Sequence, residues 1–494
     1  MDSSDSLEVM EAYMRLVAPQ DLNGIQKNSL SSKSSVRISQ NEEVGRYLTA
    51  TRDIAAGEIL LCETPLVIAP QAGAGPTCLH CLKYLHEPYG SCKQCSAPLC
   101  LETCVNKYHT QAECQALERL GEKDWSLKLI AIVNAALTPL RAWVAIEENK
   151  SLSPLIMTLQ SNAKERKKLP IGAFIKAVII PLLRDRLGQA SIEDEFIHRC
   201  CGVFDTSAFK IETVEGEQGR ALLPLAAMMM HDCAPNSDHW FSEGKFIVRA
   251  ALPIKYGEAI TISYTVCLIG TQSRIKHLSI TKLFTCTCNR CKDPTELGTH
   301  ISSLRCRTCK SGLVVPPEIN NEDWQCNECQ VKLPQEMTAI IARAGGFKPG
   351  VTDRGELAKR LHDVERMVGL QHYGSLQMLM AIWKNLSSSD IEGLSGDELR
   401  DAVAVTEQLM EVVGQLLPGL TIYRGELILG NLKMRSELQR RKLEVTGSEL
   451  LSTRPVPPHH EVVKERLELC RAIFQHHPLM PTVLELETQL QQAT

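Results

Sequence analysis

No charge of one sign dominates this chain. Its 54 lysines and arginines stand against 58 aspartates and glutamates, a formal net charge of -4 over 494 residues, which gives no electrostatic case for a nucleic-acid partner. No uninterrupted apolar run approaches the roughly 18 residues of a membrane span. The N-terminus, MDSSDSLEVMEAYMRL, is acidic and lacks the charged-then-apolar plan of a secretory leader. The expectation is an intracellular protein, in cytoplasm or nucleus, with no membrane and no direct nucleic-acid partner. The KERKK run at 164–168 reads as a solvated helix end rather than a nuclear signal.

What the chain has in quantity is cysteine, 20 residues of it. In a large, cytosolic-looking chain, cysteines grouped as C-x2-C pairs point to metal rather than to disulfides. Structural zinc takes four soft ligands in a tetrahedron, and one C-x2-C turn supplies two of them. The first cluster offers Cys78, Cys81, Cys92, Cys95, Cys100, Cys104, His109 and Cys114, enough for two ions in a stretch too short to build a core without metal. His109 has His80 and His86 as alternatives. The second, Cys286, Cys288 and Cys291 in CTCNRC, is one ligand short, so something distant must complete it. The third, Cys306, Cys309, Cys326 and Cys329, has the paired spacing of a zinc ribbon. About four zinc ions are expected in all. Cys62, Cys200, Cys201, Cys267 and Cys470 are left over and read as small buried hydrophobes.

Length suggests two to four folded units at about 100–200 residues each. Residues 1–36 are polar and Ser/Lys-rich, beginning with a short amphipathic piece, and read as a frayed or disordered lead. From Val44, VGRYLTATRDIAAGEILLCETPLVIA reads as two strands broken by a turn at AAGE. Residues 115–199 look helical, with prolines ending or kinking the segments. Strand-like runs return in FIVRAALPIKYGEAITISYTV, and after residue 335 the chain is helical. There Val405, Leu409, Val412 and Leu416 form one apolar stripe and Val463, Leu467, Cys470 and Phe474 another, the pattern of a bundle or an array of helix pairs. Between these parts lies MMMHDCAPN at 228–236, where polar residues directly follow an apolar run, as a site or a structural staple would.

The order of VGRYLTATRDIAAGE, the cysteines at 78–114, CGVFDTSAFKI, HDCAPN, YGEAITISY and FTCTCNRC resembles the SET-and-MYND family, its arthropod SmydA group in particular. The resemblance implies an α+β multidomain chain: a flexible lead (1–36), the first part of the SET domain (37–77), a MYND zinc module (78–114), a helical insert (115–200), the SET core (201–268), a post-SET zinc region with an extra ribbon (269–335), and a helical, TPR-like C-terminal domain (336–494). It implies Cys233 as the missing zinc ligand. It also implies an S-adenosylmethionine-dependent protein-lysine methyltransferase, with Tyr264 catalytic and Gly45, Arg46, Tyr47, Ser207, Met230, His231 and Phe284 at the cofactor. The implied partners are a lysine side chain on a protein, histones included, and proline-containing peptides at the MYND module.

Three positions depart from the family at the cofactor. Tyr47 stands where a second glycine is usual, Ser207 replaces an asparagine, and Met230 replaces the asparagine before His231. Losing two buried hydrogen-bonding groups costs about 1–3 kcal/mol each, which is roughly a hundredfold or more in affinity. The alternative is therefore a catalytically weak or silent SET/MYND protein that serves as a zinc-stabilised adaptor.

Overall fold

The sheets of the core are short because each is closed by a turn or handed to another sheet after a few residues. β1 (Val36–Asn41) and β2 (Gly45–Ala50) form an antiparallel hairpin in register from Val36↔Ala50 to Asn41↔Gly45, with Val36, Ile38, Leu48 and Ala50 facing inward. Gly45 closes it at φ +76°, a left-handed geometry that glycine adopts without strain. The structure, a computed structural model, describes residues 3–17, 34–73, 75–101, 104, 108–121, 125–212, 218–317, 323–334, 353–445, 448, 450–451 and 456–492.

The AAGE turn, with Gly57 at φ +92°, leads into β3 (Ile59–Glu63), and β4 (Val67–Pro70) follows. These strands part company. β3 joins β10 (Ser237–Ser242) and β11 (Lys245–Ala250) in the order β10-β11-β3, and β4 joins β7 (Phe209–Glu212) and β8 (Gln218–Leu222) in the order β4-β8-β7. The two-residue strands β9 (Met230–His231) and β12 (Thr261–Ile262) pair in parallel. One core of Leu48, Leu61, Val67, Phe204, Ala221, Phe246 and Ile260 unites them.

Between β4 and β7 the chain inserts first a cysteine-rich module, with the small hairpin β5 (Gly90–Ser91) and β6 (Pro98–Leu99), and then helices. The longest, Leu127–Glu148, runs through Pro139 rather than stopping there. It is apolar and long enough to cross a membrane by length and composition, yet Val133, Ala136, Leu137 and Leu140 are wholly buried in the protein core. Pro181 lies between two wide turns, Ile175–Ile179 and Leu182–Arg186, a wider winding that accommodates its missing N–H. Where a frayed lead is expected, Ser3–Val17 is a helix. Its Met10 is fully buried, and Leu7, Val9, Tyr13 and Met14 pack on the core, so an apolar face within a polar segment finds a partner there.

The C-terminal helices pair in succession as hairpins: Arg354–Val368 with Tyr373–Ser387, Gly396–Leu416 with Ile422–Arg440, and His459–Phe474 with Met480–Gln492. Val405, Leu409, Val412 and Leu416 are buried, as are Cys470 and Phe474, with Val463 and Leu467 partly covered. Arg249 of β11 fixes this array to the core. Only 1% exposed, it donates from Nη1 to the carbonyl of Ile473 (2.5 Å) and from Nη2 to that of Leu420 (2.8 Å), and its guanidinium lies 5.1 Å from the Trp240 ring. Gly419 lets the chains approach, since a Cβ there would stand 2.2 Å from the Ala251 carbonyl oxygen.

Arg249→Leu leaves those carbonyls unpaired and should lower unfolding free energy by about 3 kcal/mol in urea titrations. Arg52→Leu, which loses only a solvent-facing pair with Glu58, should cost under about 1 kcal/mol.

Candidate zinc centres and cofactor site

Sixteen ligand atoms gather into four groups, each with its atoms within 4.8 Å of one another: Cys78, Cys81, Cys100 and Cys104; Cys92, Cys95, His109 and Cys114; Cys233, Cys286, Cys288 and Cys291; Cys306, Cys309, Cys326 and Cys329. A Zn–S bond of about 2.3 Å sets tetrahedral sulfurs about 3.8 Å apart. The observed Sγ separations are 3.7 Å for Cys78–Cys104, 3.7 Å for Cys92–Cys114, 3.6 Å for Cys233–Cys291 and 3.7 Å for both Cys306–Cys329 and Cys309–Cys326. These are edges of a zinc tetrahedron, far too long for disulfides, and each group can hold one zinc ion.

Four of the five C-x2-C turns share one backbone form; the fifth, Cys288–Cys291, is taken up in the short helix Asn289–Lys292. In those four the residue after the second cysteine, Leu82, Ser96, Lys310 and Gln330, has φ between 58° and 64°. Its N–H donates to the carbonyl of the first cysteine, at 2.7, 2.9, 3.1 and 3.2 Å respectively. Non-glycine residues avoid this region at a cost of about 1 kcal/mol or more; its fourfold recurrence marks the turn form these four knuckles share.

In the first module the groups interleave. The pair Cys78/Cys81 closes with Cys100/Cys104, while Cys92/Cys95 closes with His109/Cys114, so the two metal sites brace each other. His109 is the ligand, and neither His80 nor His86 enters a group. Its Nε2 lies 3.5 Å from Cys95 Sγ, and its Nδ1 is bonded to Glu113 Oε1 at 2.8 Å. That contact assigns the proton to Nδ1 and frees Nε2 for metal. Glu113 in turn accepts from Arg141 Nε (2.5 Å) and Nη2 (3.0 Å), and Arg141 also donates to the carbonyls of Ile68 (3.0 Å) and Leu79 (3.2 Å). One buried arginine thus joins the metal site, the long helix, β4 and the module. The i,i+4 spacing of His109 and Glu113 was a signal in the sequence that the cysteine pattern overshadowed.

The third group takes Cys233 from HDCAPN. Behind it Arg274, Arg290 and Glu296 are all but inaccessible. Arg274 Nη1 pairs with Glu296 Oε2 at 2.6 Å and Arg290 Nη2 with the same oxygen at 3.0 Å, while Arg274 Nη2 lies 3.6 Å from Cys291 Sγ. Two guanidiniums against one carboxylate leave a buried positive charge, the complement of four thiolates around a divalent ion. Asn236 acts as the suture in the same motif: its Nδ2 donates to the Ala259 carbonyl (2.8 Å) and its Oδ1 accepts from Thr261 N (2.9 Å).

Around this staple lies the cofactor candidate. The Tyr264 amide donates to His231 Nδ1 at 3.0 Å, which leaves the proton on Nε2, 3.2 Å from Cys233 Sγ. Burial lowers the His231 pKa to about 4, so the ring is a neutral strut between sulfur and Tyr264. The Tyr264 phenol donates to the Met229 carbonyl, and burial pushes its pKa up to about 12. The Tyr264 and Phe284 rings lie 5.1 and 5.9 Å from that of His231, and Phe284 is 36% exposed, an apolar ring partly open to solvent. The core ends at Met229; Met230, like His231, is half-buried.

The remaining residues approach through shared backbone. Ile260 donates to the Leu48 carbonyl and accepts from Met230 N, which sets the Gly45–Ala50 strand beside Met230. A Cβ at Gly45 would meet nothing within 4 Å, so the turn is open to a ligand. Arg46 donates to the Thr158 carbonyl, and Ser207 Oγ to that of Gln160 at 3.2 Å. Tyr47 is half-buried opposite Ser39. Next to Ser207, the Thr206 hydroxyl is buried without a hydrogen-bond partner, a polar group that a ligand's polar atoms suit. Lys282, which the sequence reading passed over, reaches the same corner, its Nζ 5.7 Å from the centre of the Tyr264 ring.

Known proteins similar to this chain are SET-domain proteins. A family model described as the SET domain matches residues 45–265. SET domain-containing protein SmydA-8 of Drosophila melanogaster is 35% identical in isoform A over 313 residues, 61% of this chain and 66% of that one. Isoform B is 31% identical over 327 residues, 62% and 69% of the two chains. Histone-lysine N-methyltransferase ASHR1 of Arabidopsis thaliana is 24% identical over 378 residues, 69% and 75%.

Glu113→Gln should weaken one zinc site by about 10–100-fold. Timed release to a chelator would then show one ion of four leaving early, with the other three at the wild-type rate.

Proposed function

The chain belongs to the SET-and-MYND family, of the SmydA type, and from that premise we propose that it is an S-adenosylmethionine-dependent protein-lysine methyltransferase. The observation that carries this reading is the convergence of Tyr264, His231 and a part-exposed Phe284 on one corner, beside the Cys233 ligand group. Gly45, Arg46, Tyr47, Ser207, Met230, His231 and Phe284 are the residues that would hold the cofactor. The open backbone at Gly45 admits close approach, and the exposed Phe284 face suits a stacked base. When bound, the cofactor supplies an electrophilic methyl on a sulfonium.

The rest falls to the chain's own groups. The target lysine must present a neutral amine although its free pKa is about 10.4, and a dry site lowers that value. Tyr264, its pKa pushed up to about 12, stays protonated and acts as a fixed dipole rather than as a base. With its hydrogen committed to Met229 O, the phenol oxygen retains lone pairs that can accept from the amine and orient it. The His231 strut holds Tyr264 by its amide, a positioning role. Twenty cysteines free of disulfides suit a reducing, intracellular compartment, and the acceptor is a protein lysine, histones among the candidates.

The rival reading has its own observation. Met230 is half-buried in the corner and brings no hydrogen-bonding group to it. On that reading the protein is an adaptor whose MYND module and helical hairpins gather partners, proline-containing peptides among them.

Tyr264→Phe should reduce methyl transfer by about 100-fold or more, with cofactor affinity within about threefold of wild type and all four zinc ions retained; undiminished transfer would remove this mechanism. Met230→Asn should raise S-adenosylmethionine affinity about tenfold by calorimetry. Folded, zinc-replete protein with no detectable affinity in either form would leave the adaptor reading standing.

A further inference from the structure

The chain carries an amine of its own into the cofactor corner. Lys282 follows the helix Thr271–Thr281, and Leu283 beyond it is held at φ +60°, so the chain reverses between Lys282 and the outward-facing Phe284. Lys282 Nζ donates to the carbonyls of Asp205 (3.2 Å) and Thr206 (2.7 Å), in the last turn of the helix Asp194–Ser207, and lies over the Tyr264 ring. Helix C-terminal carbonyls and an aromatic face both favour an ammonium. Lys282 is thus bracketed by three residues of the proposed site: Ser207 next to its hydrogen-bond acceptors, Tyr264 beneath it and Phe284 two residues on.

The surroundings are already positive. Asp205 is the carboxylate that reaches Lys282, and it is shared with Arg220, whose Nη1 lies 2.6 Å away, and with Arg166. One carboxylate therefore faces three cations. Burial, with Arg166 and Arg220 in support, draws the lysine's pKa below its usual value against the pull of Asp205. A corner that strains to hold its own cations resists another.

We propose that Lys282 sets the charge preference of the cofactor site, disfavouring the sulfonium cation of S-adenosylmethionine relative to the neutral thioether S-adenosylhomocysteine that remains once the methyl has left. This rests on the methyltransferase reading and goes beyond it. The two ligands share the same zwitterionic amino-acid end and differ by one methyl and one positive charge. For two like charges sharing a partly buried corner, that difference would be worth about tenfold in affinity.

The test is calorimetric titration of full-length, zinc-replete protein with each ligand in wild type, Lys282→Gln and Lys282→Arg. Glutamine removes the charge but can still donate to the Asp205 and Thr206 carbonyls; arginine keeps the charge. Wild type should bind S-adenosylhomocysteine about tenfold tighter or more. Lys282→Gln should bring the two affinities within about threefold, mainly by improving S-adenosylmethionine, and Lys282→Arg should keep the preference. A ratio unmoved by Lys282→Gln overturns the role of Lys282 and leaves the cofactor site intact. If none of the three folded, zinc-loaded proteins binds either ligand, the cofactor reading falls and this inference with it.

Discussion

Cys233 and Cys286 are 53 residues apart in the chain and 4.0 Å apart in space, and the candidate site depends on that closure. Four sulfurs in one buried volume repel one another as thiolates unless a divalent ion takes up their charge. The same closure carries residues 282–291 across HDCAPN. It thereby sets Phe284 against His231 and Lys282 over Tyr264. His231, bonded to Cys233 on one side and to the Tyr264 amide on the other, passes the constraint to the phenol. The staple and the site are one construction.

Charge is balanced differently at each buried metal group. Four thiolates and a zinc ion carry a formal charge of about -2, and behind the Cys233 group Arg274 and Arg290 outnumber Glu296. Three thiolates, a neutral imidazole and a zinc ion carry about -1. Behind the His109 group, Arg141 and Glu113 form a neutral pair that orients the ring and ties the module to β4. Removing a charge from either set exposes another in a place where water cannot replace it.

The residues of the candidate site come from five separated stretches, at 45–47, 205–207, 229–231, 264 and 282–284. What lies between them works by bracing. The insert supplies carbonyls at Thr158 and Gln160 for Arg46 and Ser207, and the helical hairpins are held to the SET core by Arg249. Nested insertions of this kind let a module change without altering the register of β9 against β12.

Zinc ligands were legible in the sequence because a C-x2-C turn is a local object, its two thiolates and its left-handed residue lying within five positions. The stripe of Val405, Leu409, Val412 and Leu416 was legible for the same reason, since helical periodicity spans only a few turns. Which pair closes with which was not, because the same order of cysteines permits sequential or interleaved closure, and only the packing of residues 78–114 on Arg141 and β4 selects the second. The docking of the helix at Ser3–Val17 on the core and the seat of Lys282 against Asp205, Thr206 and Tyr264 were hidden. Each depends on partners far along the chain, and polar flanks or an ordinary lysine carry no local mark of them. The sequence by itself determined the donor atoms, their number and the apolar faces, which follow from side-chain chemistry. The tertiary structure decided their pairing, the charges that compensate them and the amine over the phenol, because Coulomb and hydrogen-bond energies depend on distances that only the folded chain sets.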